Sequence, residues 1–186
     1  FSLGEVGMWE NIGDIPYYTN PYEMALDVSY SRKLSNAFSM GVTLRYIRSD
    51  MGTDASEEKY AGTAFAADIS GYLEKYVVMG SAEALWSFGF NLSNIGSKIS
   101  YDGGETNNYL PAKLTLGTGL LYPIDEYNQI GFYLDLSKYL VPYAPQKEDG
   151  ESDDDYQQRI DDYKSWSSIT GLFKSFTDSP NGLLKE

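Results

Sequence analysis

The chain has 186 residues, a formal net charge of -13, and neither Cys nor His. Without imidazoles and thiols, the commonest metal ligands and the usual Ser–His or Cys–His nucleophile pairs are missing. The acidity argues against a nucleic-acid surface, which needs clustered Lys and Arg.

No apolar run approaches the roughly 20 residues that a membrane helix requires. That excludes a helical membrane protein and leaves a barrel open, because barrel strands are only half apolar. Aromatics make up 15% of the chain, with 17 Tyr. Tyr and Trp suit interfacial girdles, where a ring sits among headgroups and its polar tip stays wet. Tyr is also a good strand residue in any setting.

Phe1-Ser2-Leu3-Gly4-Glu5 reads as the end of a strand already under way. The first full strand is Tyr22 to Arg32, with Tyr22, Met24, Leu26, Val28 and Tyr30 on one face. Glu23, Ala25, Asp27, Ser29 and Ser31 take the other. This is the period of two that a β-strand imposes. A turn at Leu34-Ser35-Asn36 leads into a second strand, Ala37 to Ser49, and a polar loop follows over 50–63. The third strand sends Phe65, Ala67, Ile69 and Leu73 outward, against Ala66, Asp68, Ser70, Tyr72 and Glu74.

After a connection at 75–82, strand four sets Ala84, Trp86, Phe88, Phe90 and Leu92 against Glu83, Leu85, Ser87, Gly89 and Asn91. A second polar loop covers 96–108. Strand five sets Leu110, Ala112, Leu114, Leu116 and Leu120 against Lys113, Thr115, Gly117 and Gly119. A turn at 122–128 leads to strand six, with Ile130, Phe132, Leu134 and Leu136 outward and Gln129, Gly131, Tyr133, Asp135 and Ser137 inward. Connections alternate short and long, as in outer-membrane barrels, so 50–63, 96–108 and 140–168 are placed outside the cell.

The stretch 146–162 is strongly acidic. Such a run is usually solvated; partner contact and a calcium loop are the sharper readings, and the calcium spacing does not match. Over 166–177, Ile169, Leu172, Phe173 and Phe176 fall on one helical face. A short helix on the barrel rim is expected there, with a gate or docking element as the functional alternative.

The expected fold is all-β: an antiparallel transmembrane β-barrel of which this chain carries six to seven strands. Membrane barrels start at about 8 strands, so the chain reads as part of a longer one. The inward faces offer Glu23, Asp27, Arg45, Asp68, Lys113 and Asp135 as lumen-lining residues, with Glu74, Glu83 and Asn91 beside them. Charges of both signs pair across a lumen, or form a selectivity ring. No motif selects a catalytic pair, a metal site or a cofactor site, so no enzyme activity and no cofactor are expected.

Several phrases then carry a resemblance: Asn20-Pro21-Tyr22-Glu23-Met24-Ala25; Leu44-Arg45-Tyr46-Ile47-Arg48-Ser49-Asp50; Gly89-Phe90-Asn91-Leu92-Ser93-Asn94-Ile95-Gly96; Tyr109-Leu110-Pro111; and Gly171-Leu172-Phe173-Lys174-Ser175-Phe176. In this order they resemble the PorV (LptO) family of type IX secretion system outer-membrane proteins. The resemblance implies a fourteen-stranded FadL-like barrel in the bacterial outer membrane. It implies a shuttle that binds secreted cargo through the cargo's C-terminal signal domain. The cargo passes from the SprA (Sov) translocon to the attachment complex of the sortase PorU.

Outer-membrane lipid is the remaining partner, and nucleic acid is none. Loop-level docking candidates are Asp54, Glu57, Asp102, Glu105, Tyr143, Trp166 and Phe173. The alternatives are a FadL-like transporter of hydrophobic small molecules, which needs a continuous apolar pocket inside, and a soluble β-sandwich.

Overall fold

A computed structural model describes residues 1–9, 15–53, 59–102 and 107–177. A small hairpin, β1 (Val6–Met8) with β2 (Tyr17–Thr19), precedes a six-stranded antiparallel meander. The meander runs β3 (Tyr22–Lys33), β4 (Phe38–Thr53), β5 (Lys59–Met79), β6 (Ala82–Gly96), β7 (Lys113–Pro123) and β8 (Gln129–Tyr139), each strand paired with the next. Two helices follow, α1 (Asp153–Ser165) and α2 (Ser168–Lys174). The sheet is open among the described residues. Ser2 bridges Tyr22 on the free side of β3, where Glu23 N–H donates to the Phe1 carbonyl at 2.8 Å.

Pairing puts the apolar positions of all six strands on one face. One row runs Tyr30, Val42, Ile69, Leu92, Leu114; another runs Phe38, Leu73, Phe88, Thr118, Leu134. No described layer covers this face, on which Leu44 is 64% exposed, Phe65 66% and Phe132 63%. Polar groups rim the band. At one end Arg48 donates to the Tyr22 hydroxyl at 2.9 Å and lies 3.8 Å from Asp50; at the other stand Arg32 and Lys75. From Arg48 down to Met40, which pairs with Arg32, the strand covers about 27 Å, and about 20 Å of height at the tilt of a barrel strand.

Several strands differ from the sequence expectation. β4 and β5 extend to Thr53 and from Lys59, so most of the expected loop at 50–63 is strand. β5 also runs to Met79, reducing the expected connection at 75–82 to a two-residue turn, Gly80-Ser81. Leu110 and Ala112 do not point outward from strand five. They precede β7, and both are buried. The acidic stretch is helical over Asp153–Ser165, and the helix expected at 166–177 spans Ser168–Lys174.

Three connections, at 34–37, 80–81 and 124–128, lie at one end of the sheet. The β1–β2 hairpin, the stretch 97–112 and the helices lie at the other. The small apolar core belongs to that second end: Ala64, Ala66, Ile99 and Leu110, flanked by Ile47 and Tyr101.

Candidate functional site

The loop end is built on the polar face of the sheet. β5 carries Gly62, Ala64 and Ala66 on that face, a trough of small side chains. The described stretches 97–102 and 107–112 lie over it and are tied together by paired Ile99 and Asn108 backbone bonds of 2.8 and 2.9 Å. Ile99 fills the trough. A Cβ on Gly62 would stand 2.7 Å from Ile99 Cγ1 and 2.7 Å from the Ser100 carbonyl, so only glycine fits. Within the outer loop expected at 96–108, the described residues around Ile99 are therefore packed against the wall.

Beneath it lies an ion-pair cluster. Arg45 binds Asp27 through two bonds of 2.9 Å and reaches Asp68 at 3.2 Å. It also donates to the Asn94 side-chain carbonyl. Asn94 sits at a β-bulge, where the β5–β6 register shifts between Ala67 and Ile69. Its φ is 57°, a left-handed conformation that Asn tolerates better than most residues. Asp68 accepts its N–H at 2.7 Å, and its amide donates to the Pro111 carbonyl at 3.2 Å. Thus Asn94 joins the charge cluster to the inward segment.

Of the expected lumen residues, the structure gathers Asp27, Arg45 and Asp68. Glu23 accepts from Ser49 at 3.4 Å. Lys113 and Asp135 stand apart, Asp135 opposite Gly117. At Gly119 the Tyr133 ring takes up the space that a side chain would need, lying 2.6 Å from where a Cβ would be.

Tyr109 carries the helices. Its hydroxyl donates toward the carbonyls of Tyr163 at 3.3 Å and Trp166 at 3.1 Å, at the close of α1. The rings of Tyr109, Tyr163 and Trp166 stack in sequence, 5.5 and 5.7 Å apart. Lys98 places Nζ 4.3 Å from the Tyr109 ring centre and donates to the Lys164 carbonyl at 3.0 Å. Lys174 lies 5.0 Å over Trp166. Burial raises the Tyr109 and Tyr163 hydroxyl pKa values and lowers that of Lys98.

Arg159 fixes the start of α1. It binds Glu151 through two bonds of 2.8 Å, Glu148 at 3.2 Å and the Gln146 carbonyl at 2.7 Å. The Arg159 bond holds the Glu151 carboxyl below its usual range. Ser152 caps the helix by accepting from the Asp155 N–H at 3.1 Å, and its hydroxyl donates to the Asp155 carboxylate at 2.7 Å. Tyr143, Pro145, Arg159, Asp162 and Trp166 then surround a cavity of about 310 Å³.

The docking candidates divide accordingly. Tyr143 and Trp166 meet at this cavity. Phe173 is exposed on α2, and Asp102 accepts from Ser100 Oγ at 2.7 Å inside the folded-in segment. Asp54, Glu57 and Glu105 lie outside the described residues. Sequence reasoning did not single out Asn94, Tyr109, Tyr163 or Arg159.

A family model described as "Type IX secretion system protein PorV" matches residues 1–147. The chain belongs to the PorV family. The match ends before α1 and contains the whole meander, the Arg45 cluster and the inward segment. No curated relative matches the chain. Family membership makes it a component of the type IX secretion system, an assembly for protein transport. Among the described residues no helix is long and apolar enough to cross a membrane, which says nothing of a β-barrel.

Proposed function

We propose that this chain forms part of an outer-membrane barrel that binds secreted cargo and carries it between the translocon and the cell-surface attachment complex. The observation that carries the reading is the family match over residues 1–147. The architecture supports it from two sides. An uncovered apolar face spanning all six strands suits lipid, because every strand contributes Leu, Phe, Val, Ile or Met to it. The longest loop-end structure, 140–177, suits a docking platform outside the cell.

The cargo would be recognised by its C-terminal signal domain, and the assemblies met on the way would be the SprA (Sov) translocon and the PorU sortase complex. The transporter alternative needs an apolar passage along the inner wall. Here that wall carries Asp27, Arg45 and Asp68 under a folded-in segment, which favours the shuttle.

The test is co-purification from outer membranes. The full-length protein is gently solubilised beside a variant whose residues 148–165 are replaced by a Gly-Ser linker. Recovery of secreted proteins sharing a C-terminal domain, reduced in the variant, is the expected result. A barrel recovered alone with lipid-like molecules in its lumen would favour the transporter.

A further inference from the structure

We propose that the cavity between the 143–145 segment and α1 is a receptor for a lysine or arginine side chain of a partner polypeptide. The inference rests on the docking reading above and names the chemistry that the dock would recognise.

Three features of the cavity converge on a cation. Its walls are the rings of Tyr143 and Trp166 with the flat face of Pro145, which suit an aliphatic stem. Its built-in cation, Arg159, is already neutralised by Glu148 and Glu151, so it does not repel a second positive group. The remaining lining charge is Asp162, a solvent-exposed carboxylate of α1 with no hydrogen bond or ion pair among the described residues.

Two ammonium groups of the chain lie against rings of this cluster, Lys98 over Tyr109 and Lys174 5.0 Å over Trp166; Lys174 is thus a second cation beside the cavity, and a guest would displace it from the Trp166 ring. An aromatic face attracts a cation through its quadrupole, more strongly where water is partly excluded. The surrounding field has the same preference: α1 opens with Asp153, Asp154 and Asp155 and closes near Asp161 and Asp162. An anionic or purely apolar occupant would face both Asp162 and that field. The volume, about 310 Å³, accommodates one long side chain rather than a folded element.

The test uses the full-length protein in detergent or nanodiscs and a fluorescein-labelled Ser/Gly peptide bearing two lysines. Acetyl-lysine and glutamate versions serve as controls, since acetylation removes the charge while keeping the stem. Anisotropy should report binding of the lysine peptide alone. Asp162→Asn and Tyr143→Ala should each weaken it about fivefold or more. Asp154→Asn removes the same charge from the exposed face of α1 and should change it less than about twofold.

Equal losses for Asp162→Asn and Asp154→Asn, with Tyr143→Ala silent, would mean diffuse attraction to an acidic surface and would overturn the proposal. So would equal binding of the acetyl-lysine peptide. Cargo co-purification separates the two readings. Cargo retained by Asp162→Asn and Tyr143→Ala overturns the pocket while the shuttle stands. A wild-type protein that binds the lysine peptide but recovers no cargo supports the pocket while the shuttle fails.

Discussion

The two ends of this sheet are built by different rules. At the turn end, each connection is closed by its own residues. Leu34 N–H and Ser35 N–H both reach the Phe38 carbonyl, and Asp125 accepts from the backbone of Tyr127 and Asn128 at 2.8 Å each. At the loop end, the contacts that join one segment to another cross long stretches of sequence. Ile99 fits over Gly62, Asn94 joins Asp68 to Pro111, and Tyr109 holds the end of α1 some way along the chain. Local closure makes a turn independent of its surroundings. Long-range closure makes the loop end a cooperative unit, in which one side chain releases several segments.

The largest expected effect comes from Ile99→Ala. Ile99 is 7% exposed and packs with Leu110 and with Ala64 and Ala66, the last two too small to collapse into the vacancy. The change should cost about 3 kcal/mol. Hydrogen exchange should rise across 97–112 and spread to α1 through Tyr109. A matched change at the turn end, Tyr127→Ala, removes a ring that is 91% exposed and should leave exchange at the loop end unchanged. Equal spread from both variants would break the contrast between the ends.

A middle effect is expected at the helix start. Ser152→Ala removes the hydroxyl that caps the Asp155 N–H, a loss of about 1 kcal/mol for a typical N-cap. Because Tyr109 grips the far end of α1, the loss should appear as fraying near 153–156 while Tyr163 and Trp166 stay docked. Amide exchange resolved along the helix distinguishes this from wholesale release. Release of Tyr163 and Trp166 as well would mean that the cap, not the aromatic cluster, carries the helix.

This contrast also explains what was legible in the sequence. Strands such as Tyr22–Lys33 and Gln129–Tyr139 repeat their chemistry every second residue, and that periodicity is local information. The turn at 34–36 is local too, whereas the expected long loop at 50–63 shrinks to 54–58 between β4 and β5. By contrast, Leu110 and Ala112 continue the alternation of strand five and so point outward by pattern, yet tertiary contact buries both. Nothing near Ile99 in sequence announces Gly62.

The helix α1 is an intermediate case. Its acids read as a solvated run and mask a sparse stripe, Tyr156, Ile160 and Tyr163 at i, i+4 and i+7, which the fold leaves half-buried. Further signal lies at its ends: Ser152 with Asp155 three residues on, acids in the first turn, and Lys164 in the last. Tyr109 belonged to a recognisable phrase, Tyr-Leu-Pro, but its partners at 163 and 166 are set by the fold alone.

The smallest effect concerns pH and tests how the acidic platform is held. The Glu151 carboxyl is lowered first by its bond to Arg159, then by the Glu148 N–H. A carboxyl depressed in the folded state adds stability above the ordinary glutamate value, and that contribution is lost as pH falls through the folded one. The platform should therefore hold through neutral and mildly acidic conditions. Below the usual glutamate range, protonation of Glu151 should free Arg159 and loosen 146–152 before the sheet responds. Exchange corrected for intrinsic rates would show this, and Glu151→Gln should reproduce the loosened state at neutral pH. Asp125 behaves with the same sign at the turn end, held low chiefly by the Asn128 side chain. Its protonation should disturb only residues 124–128, because its partners are its own neighbours. One carboxyl at each end thus gives the same titration with different reach, and the difference measures how far each end communicates.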